Sequence, residues 1–212
     1  MPPTPDSGFD RVASFYDPLA RLVYGSALQD AQQWLLPHIP AGASVLLIGG
    51  GSGWLLQQVL QKTSPKHILY LEASEKMLQK AKQLNPGTPV VSFRHGTEAD
   101  LLPHEQFDVI ITPFLLDLFP DARLAELMQR LCYSLAPNGR WLFADFWPVQ
   151  HNPPFWQKLL AKSMYLFFGF LSNVRGRLLP DYSRHFTSLG LQEQHSAAFY
   201  KGFVQAKIFE KG

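Results

Sequence analysis

The chain lacks most of the features that mark secreted, disulfide-bonded or membrane-spanning proteins. Cys132 is the only cysteine among 212 residues, which excludes a disulfide framework and a cysteine-based zinc site and favours a reducing, cytoplasmic compartment. The first ten residues, MPPTPDSGFD, have neither the basic nor the apolar region of a signal peptide. The longest uninterrupted apolar run, 164–171, is too short to cross a bilayer, which takes about 20 residues.

Charge is also sparse. Charged residues make up 17% of the chain and apolar residues 46%, and the formal net charge is +2. This balance is typical of a folded globular domain. The positive charge is too small to argue for nucleic acid, so we expect none among the partners.

The middle of the chain alternates short apolar runs with stretches of helical periodicity. The runs VLLIG, HILYLEAS, PVVSFRHG, FDVIITPF and RWLFADF predict strands, and helices are predicted at 54–62, 75–84 and 121–135. Two β-like runs at 191–200 and 203–210 predict a closing antiparallel hairpin. The pattern predicts an α/β fold: a Rossmann-like, doubly wound, mostly parallel sheet covered by helices on both faces.

The first strand ends in a loop with almost no side chains. Glycines occupy four of the five positions before the helix at 54–62, namely Gly49, Gly50, Gly51 and Gly53. Glycine permits positive φ and lets a ligand lie against bare backbone, and a helix N-terminus offers N–H groups and a positive dipole end. The unit predicts a nucleotide-like cofactor at the carboxyl edge of the sheet. The alternative is a tight turn whose glycines serve packing only.

Two phosphate-binding motifs do not fit this loop. A Walker loop requires lysine after its last glycine, but Trp54 follows Gly53. The dinucleotide spacing requires a glycine at 54 or 56, and these positions are Trp54 and Leu56.

The spacing Gly49-x-Gly51-x-Gly53 resembles motif I of the class I S-adenosylmethionine-dependent methyltransferases. Glu72, with Ala73, Ser74 and Met77 after it, resembles the acid that ends the second strand in that family. The stretches RHGTEADLLP, FDVIITPFLLDLFP and SLAPNGRWLFADF resemble its later motifs, and FDRVASFYD is similar to the N-terminal segment of the small-molecule and quinone-biosynthesis C-methyltransferases. The resemblance covers roughly residues 9–146, and it implies a seven-stranded sheet.

The resemblance also implies S-adenosyl-L-methionine as the cofactor and a set of contact residues. In the family, the acid at the position of Glu72 accepts hydrogen bonds from both ribose hydroxyls, a residue near Thr97 or Glu98 meets the adenine, and a tyrosine like Tyr16 can reach the methionine end. The predicted cofactor-binding residues are Gly49, Gly50, Gly51, Gly53, Glu72, Ala73, Met77, Thr97, Glu98, Thr112, Phe114 and Tyr16.

Asp117 and Tyr16 are the predicted catalytic residues. A carboxylate at 117 facing the reaction cleft would act as a base or orient the acceptor. The alternative for Asp117 is a solvated loop acid or a helix cap. Asp145 and His151 are further candidate bases by position, each with a structural role as its alternative. We expect no metal site.

Two positions depart from the family pattern. Leu47 stands where the family commonly has an acid that braces the glycine loop, and Thr97 stands near a position often occupied by aspartate. Two interpretations of Leu47 stay open. Either backbone contacts alone hold the loop, or the chain binds its cofactor weakly and has become a non-catalytic binding module.

The expected organisation is a flexible tail at 1–8 and a single domain at 9–212. Within that domain we predict N-terminal helices at 9–40, a cofactor-binding core at 41–146, a helical substrate lid at 147–180, and a closing helix and hairpin at 181–212. The lid region is rich in aromatic residues, so residues 155–179 are interpreted as a lid, a dimer contact or a membrane-surface helix. Monomer and dimer both stay open.

The predicted function is methyl transfer to a small, apolar molecule. A protein or nucleic-acid methyltransferase is the less favoured alternative, because no Asn-Pro-Pro-Tyr or Asp-Pro-Pro-Tyr motif follows the fourth strand, where the chain reads Thr112-Pro113-Phe114-Leu115.

Overall fold

The computed structural model describes residues 24–85, 87, 89–147 and 179–211. The predicted tail, residues 9–23 of the predicted N-terminal helices, residues 148–178 of the predicted lid, Tyr16 and His151 lie outside this part of the chain. The strands are β1 (Ser44–Ile48), β2 (His67–Glu72), β3 (Val91–His95), β4 (Phe107–Pro113), β5 (Leu135–Phe146), β6 (Leu191–Phe199) and β7 (Val204–Lys211). The α-helices are α1 (Ala27–Leu35), α2 (Trp54–Lys62), α3 (Glu75–Leu84), α4 (Asp121–Tyr133) and α5 (Tyr182–Ser188).

The strands form one seven-stranded sheet with the order β3-β2-β1-β4-β5-β7-β6. β1 to β5 pair in parallel, while β7 pairs antiparallel with both β5 and β6. The predicted Rossmann-like sheet with its antiparallel C-terminal hairpin is therefore confirmed. The chain order reverses between β1 and β4, and in open α/β sheets ligands bind at the carboxyl edge beside such a reversal.

Each face of the sheet covers its own core. Along β1, Leu47 joins the cluster that contacts α1 and α2, whereas Leu46 and Ile48 join the cluster that contacts α4 and α5. This alternation is the period of two that a strand imposes. Because both faces are covered, β1 is apolar at nearly every position.

Most predicted element boundaries are confirmed, and α2 and α3 have the predicted limits. The main difference is in β5, which begins at Leu135 rather than at 140. Leu135 pairs with Phe107, and the next pair along is Val109 with Arg140, so the intervening residues of β5 form an irregularity. Asn138 lies in that segment with φ 61°, as a turn requires. The predicted turn is thus inserted within the strand.

Among the described helices, none is both long enough and apolar enough to span a bilayer.

Candidate functional site

The glycine loop after β1 lies at the carboxyl edge of the sheet, and its glycines face different surroundings. A Cβ added to Gly53 would lie 2.7 Å from the Cα of Ala81, so glycine here lets α2 pack against α3. A Cβ at Gly49 would lie 2.8 Å from Leu115 Cδ1. Gly51 has φ 62°, and no atom of the described residues lies within 4 Å of its added Cβ position. The loop therefore presents open space at Gly51.

Glu72 ends β2 opposite this loop, as the sequence predicts. Its Oε2 accepts a hydrogen bond from the Gly51 N–H at 3.0 Å, and its Oε1 accepts one from the Ser74 N–H at 2.9 Å. The side chain is only 8% exposed. Burial raises the pKa of the Glu72 carboxyl, while the backbone N–H donors and nearby His95 oppose that rise. The structure thus brings Glu72 and Gly51 together.

Ala73 and Met77 follow Glu72 at the start of α3. Ser74 caps the helix by accepting a hydrogen bond from the Met77 N–H at 3.2 Å. The Ala73 carbonyl lies 2.9 Å from His95 Nε2 at the end of β3. These contacts fix the backbone beside Glu72.

Leu47 and Tyr70 lie beneath the loop. Both side chains are fully buried, and a Cβ at Gly50 would lie 2.3 Å from Leu47 Cδ2 and 2.6 Å from Tyr70 Cε2. The Tyr70 hydroxyl donates to the Gly51 carbonyl at 2.8 Å. Sequence reasoning did not identify Tyr70. A polar tip within an aliphatic strand, two residues before Glu72, was the available signal.

Thr97 and Glu98, the predicted adenine contacts, use their side chains within the protein. Thr97 Oγ1 accepts a hydrogen bond from the Ala99 N–H at 3.3 Å and caps the 3₁₀ turn Glu98–Asp100. Glu98 is buried and forms an ion pair with Arg123 of α4. The backbone of this turn is fixed near the end of β3. Any contact with an adenine would therefore come from the turn itself, because the Glu98 carboxylate is already paired with Arg123.

Thr112 and Phe114 stand at the end of β4. Thr112 is fully buried, and its hydroxyl accepts a hydrogen bond from Trp141 Nε1 at 2.9 Å. Phe114 has φ 50°, an uncommon conformation for a bulky residue and one that is found at functional sites. Its N–H donates to the Ala144 carbonyl at 2.7 Å, which ties the strained residue to β5.

Asp117 follows in the 3₁₀ turn Leu116–Leu118 and forms a pair with Asp145 of β5. Asp145 Oδ2 accepts hydrogen bonds from the N–H groups of Leu116 and Asp117 at 3.0 and 3.3 Å, and its Oδ1 accepts one from the Phe146 N–H at 2.8 Å. The two carboxyl groups also contact each other. Within the described part of the chain, the buried Asp117 Oδ1 has no hydrogen-bond partner.

Burial raises the pKa of both carboxyls in this pair, and the proximity of Asp117 raises the pKa of Asp145 further. Two carboxylates in contact repel each other, so the pair retains a proton at a pH at which isolated aspartates are ionised. The Asp117 side chain is half-buried with its Oδ1 enclosed, and its N–H is held by β5, which does not favour the alternative of a solvated loop acid.

A cluster of aromatic rings lies at the same end of the sheet. Phe146 is 5.3 Å from Phe114 and 5.1 Å from Tyr24, and Tyr24 is 5.5 Å from Tyr200, all measured between ring centroids. Burial raises the pKa of the Tyr24 phenol, and the negative charges of Asp117 and Tyr200 add to the rise. Sequence reasoning missed Tyr24 as a neighbour of Asp117 and Tyr200 as a neighbour of Tyr24, because these residues lie far apart along the chain.

Comparison with known proteins gives one family match. Residues 45–139 match the methyltransferase domain family, and this range spans the glycine loop, Glu72 and the turn that carries Asp117. No curated protein matches the chain.

Several solved structures share the fold. The N-methyltransferase NodS from Bradyrhizobium japonicum in complex with S-adenosyl-L-homocysteine is 13% identical with a TM-score of 0.73, covering 99% of each chain. The 1,6-didemethyltoxoflavin-N1-methyltransferase from Burkholderia thailandensis is 17% identical with a TM-score of 0.68, covering 97% of this chain and 87% of that one. An S-adenosylmethionine-dependent methyltransferase from Mesorhizobium loti is 20% identical with a TM-score of 0.67, covering 88% of this chain and 98% of that one.

These identities are low, so the solved structures establish the fold, and the family match locates the domain within the sequence. Residues 45–139 match a methyltransferase domain, and the chain around them has the Rossmann-like fold of the methyltransferases named above.

Proposed function

We propose that this protein is an S-adenosylmethionine-dependent methyltransferase that acts on a small, apolar molecule. One observation carries the proposal: Gly51 presents open space beside a buried carboxylate, Glu72, which is fixed by the Gly51 N–H. The methyltransferase-domain match supports the same cofactor, as does the S-adenosylhomocysteine present in two of the similar structures.

The residues present fit such a cofactor. A carboxylate accepts about four hydrogen bonds, and Glu72 accepts from the Gly51 and Ser74 N–H groups and interacts with the Ala73 N–H, so it retains the capacity to accept a hydrogen bond from a ribose hydroxyl. A side chain at position 51 would fill the space in which a ligand can approach the backbone. We assign Glu72 to the ribose, the loop 49–53 to the adjoining part of the cofactor, and the turn at 97–98 to the adenine.

When bound, S-adenosylmethionine supplies a methyl group already activated by a sulfonium. The protein must then align the acceptor, exclude water and, for a weakly acidic acceptor, receive a proton. We assign the last task to Asp117, and the assignment is supported by its Oδ1, which is buried and unpaired within the described residues. The rings around Phe146 supply an apolar wall on the same side, which suits an apolar acceptor.

The surroundings of Leu47 do not support the alternative interpretation that the chain is a non-catalytic binding module. Its side chain is fully buried in the core beneath the loop, and the Tyr70 hydroxyl supplies a hydrogen bond to that loop. The departure at position 47 therefore leaves the loop supported.

Calorimetry and a turnover assay test the proposal together. We expect S-adenosylhomocysteine to bind in the micromolar range, and labelled methyl groups to pass from S-adenosylmethionine to at least one member of a panel of apolar phenols, amines and thiols. No binding at millimolar concentration would contradict the proposal. Binding without transfer across the whole panel would favour the binding module.

A further inference from the structure

Tyr70 lies beneath the glycine loop and uses its hydroxyl on that loop. The hydroxyl donates to the Gly51 carbonyl at 2.8 Å, and the residue has no exposed surface. A buried phenol requires a hydrogen-bond partner, and so does a loop carbonyl that belongs to no strand or helix. The contact satisfies both groups and orients them relative to each other.

Glu72 contacts Gly51 as well, through the Gly51 N–H. The Gly51 N–H donates to Glu72 Oε2 at 3.0 Å. Residues 70 and 72 are two apart on β2, so their side chains leave the same face of the strand. One strand therefore holds both the carbonyl and the N–H of Gly51.

The packing around Gly50 makes this arrangement tight. A Cβ at Gly50 would lie 2.7 Å from the Tyr70 hydroxyl oxygen, and 2.3 Å from the Leu47 side chain. Leu47 has no polar atom in its side chain. Polar contacts to Gly51 come instead from Tyr70, whose hydroxyl donates to the Gly51 carbonyl, and from Glu72, which accepts from the Gly51 N–H.

We infer that Tyr70 is a positioning residue for the cofactor-binding loop, because its hydroxyl sets the orientation of Gly51 and thereby holds Glu72 in place. The inference rests on the proposed function, since it concerns the site that Gly51 and Glu72 form. Tyr70 lies under the loop and acts through Gly51, without touching the cofactor.

The variant Tyr70→Phe removes the hydroxyl and keeps the ring. The loop then loses one net hydrogen bond that orders the binding site, so we expect the Kd for S-adenosylhomocysteine to rise about three- to tenfold. Exchange of the Gly51 N–H with solvent, followed by NMR, should become faster while amides in β4 and β5 are unchanged. This local exchange separates positioning from a general loss of stability.

Trp141→Phe is the matched control. It also removes a buried aromatic donor, because the Trp141 indole N–H donates to Thr112 Oγ1 at 2.9 Å in the core on the opposite face of the sheet. Thr112 is fully buried and its hydroxyl accepts from Trp141, so it is not among the residues assigned to the cofactor above. We expect Trp141→Phe to lower the melting temperature. At temperatures well below that melting temperature, its Kd should stay within twofold of that of the unaltered chain.

The possible results are distinguishable. If the unaltered chain binds no S-adenosylhomocysteine, the proposed function fails. If it binds and folded Tyr70→Phe binds equally well, the inference about Tyr70 fails alone. Should Tyr70→Phe not fold, the unaltered chain still provides a test: a slowly exchanging Tyr70 hydroxyl proton coupled to the Gly51 carbonyl supports the inference, and a hydroxyl exchanging at the solvent rate contradicts it.

Discussion

Asp145, at the end of β5, accepts a hydrogen bond from the backbone N–H of Asp117 at 3.3 Å, and the carboxyl groups of the two residues contact each other. This relationship fixes the turn after β4 by a side chain that lies 28 residues further along the chain. It also places a pair of buried carboxyls beside the aromatic rings of the predicted acceptor side.

The pair predicts that stability falls as the pH rises. Both carboxyls have their pKa raised above the ordinary value of 3.8, so the folded chain holds a proton that the unfolded chain has released. The resulting stability is fully present below about pH 4 and is lost as the pH rises through the folded pKa. Among the described residues, the phenol of Tyr24 also faces Asp117, and Tyr24 in turn contacts Tyr200.

Asp117→Asn should remove the part of this dependence that comes from Asp117 and from its charge beside Asp145, while burial still raises the pKa of Asp145. The amide cannot ionise, so relative to the unaltered chain the variant should gain about 1 kcal/mol or more between pH 5 and pH 9, as expected for one pKa unit. Urea denaturation across this range measures the effect, with the exposed Asp30→Asn as control. Parallel pH profiles for Asp117→Asn and the unaltered chain would show that Asp117 contributes nothing to the pH dependence.

Asp117→Asn should also lower turnover more than cofactor affinity. If Asp117 receives the proton of a weakly acidic acceptor, its loss should reduce the methyl-transfer rate about 10²-fold or more. The Kd for S-adenosylhomocysteine should change less than threefold, because Glu72 and the loop are untouched. Equal turnover for Asp117→Asn and Asp30→Asn would assign Asp117 a structural role.

The two neighbouring glycines of the loop should respond differently to alanine. At Gly50, the new methyl group would collide with Leu47 and Tyr70 at 2.3–2.7 Å, so Gly50→Ala should destabilise the fold by about 1–3 kcal/mol. At Gly51 the space is open, so Gly51→Ala should cost about 1 kcal/mol for its positive φ.

Of these two variants, Gly51→Ala should have the larger direct effect on cofactor binding. The added methyl group would enter the space proposed for the cofactor, so Gly51→Ala should abolish or strongly weaken S-adenosylhomocysteine binding while the chain stays folded. Thermal denaturation and calorimetry on both variants measure this. A Gly51→Ala variant that binds normally would place the cofactor elsewhere.

The ion pair between Glu98 and Arg123 should contribute to stability. Glu98 is buried, so Arg123→Met would leave its carboxylate without that partner and should destabilise the chain by about 1–3 kcal/mol. Adding Glu98→Gln should recover part of the loss, because the double variant buries no unpaired charge. Guanidinium denaturation of the unaltered chain, of Arg123→Met, of Glu98→Gln and of the double variant measures the interaction free energy between the two side chains. A double variant with strictly additive losses would show that the pair does not interact.

Much of the fold follows from local pattern. The apolar run of β1 and the glycines after it specify a buried strand and a turn into α2, and helical periodicity with a Ser74 cap specifies α3. Glu72 could be predicted because its place at the end of β2 is a local property. The irregularity in β5 could not, since it depends on Leu135 pairing with Phe107 across the sheet.

The partners of the site residues follow from long-range packing instead. Strand periodicity places Tyr70 on the face of Glu72, but only the folded chain shows that its hydroxyl reaches Gly51. Similarly, the sequence shows acids at positions 117 and 98 but does not show their partners. The folded chain brings Asp145 of β5 to Asp117 and Arg123 of α4 to Glu98. Periodicity specifies a face of an element, and the packing of that element specifies the contact.

Calorimetric titration of S-adenosylhomocysteine into the unaltered chain, Glu72→Gln and Glu75→Gln tests the central claim most directly. The Glu72→Gln substitution removes the negative charge and replaces one acceptor oxygen with an NH₂ group that would face the Gly51 or Ser74 N–H. The Kd should therefore rise about 10- to 100-fold, corresponding to about 1.5–3 kcal/mol. Glu75→Gln, at an exposed position three residues on, should bind like the unaltered chain. Equal affinity for all three proteins would contradict the assignment of Glu72 to the cofactor.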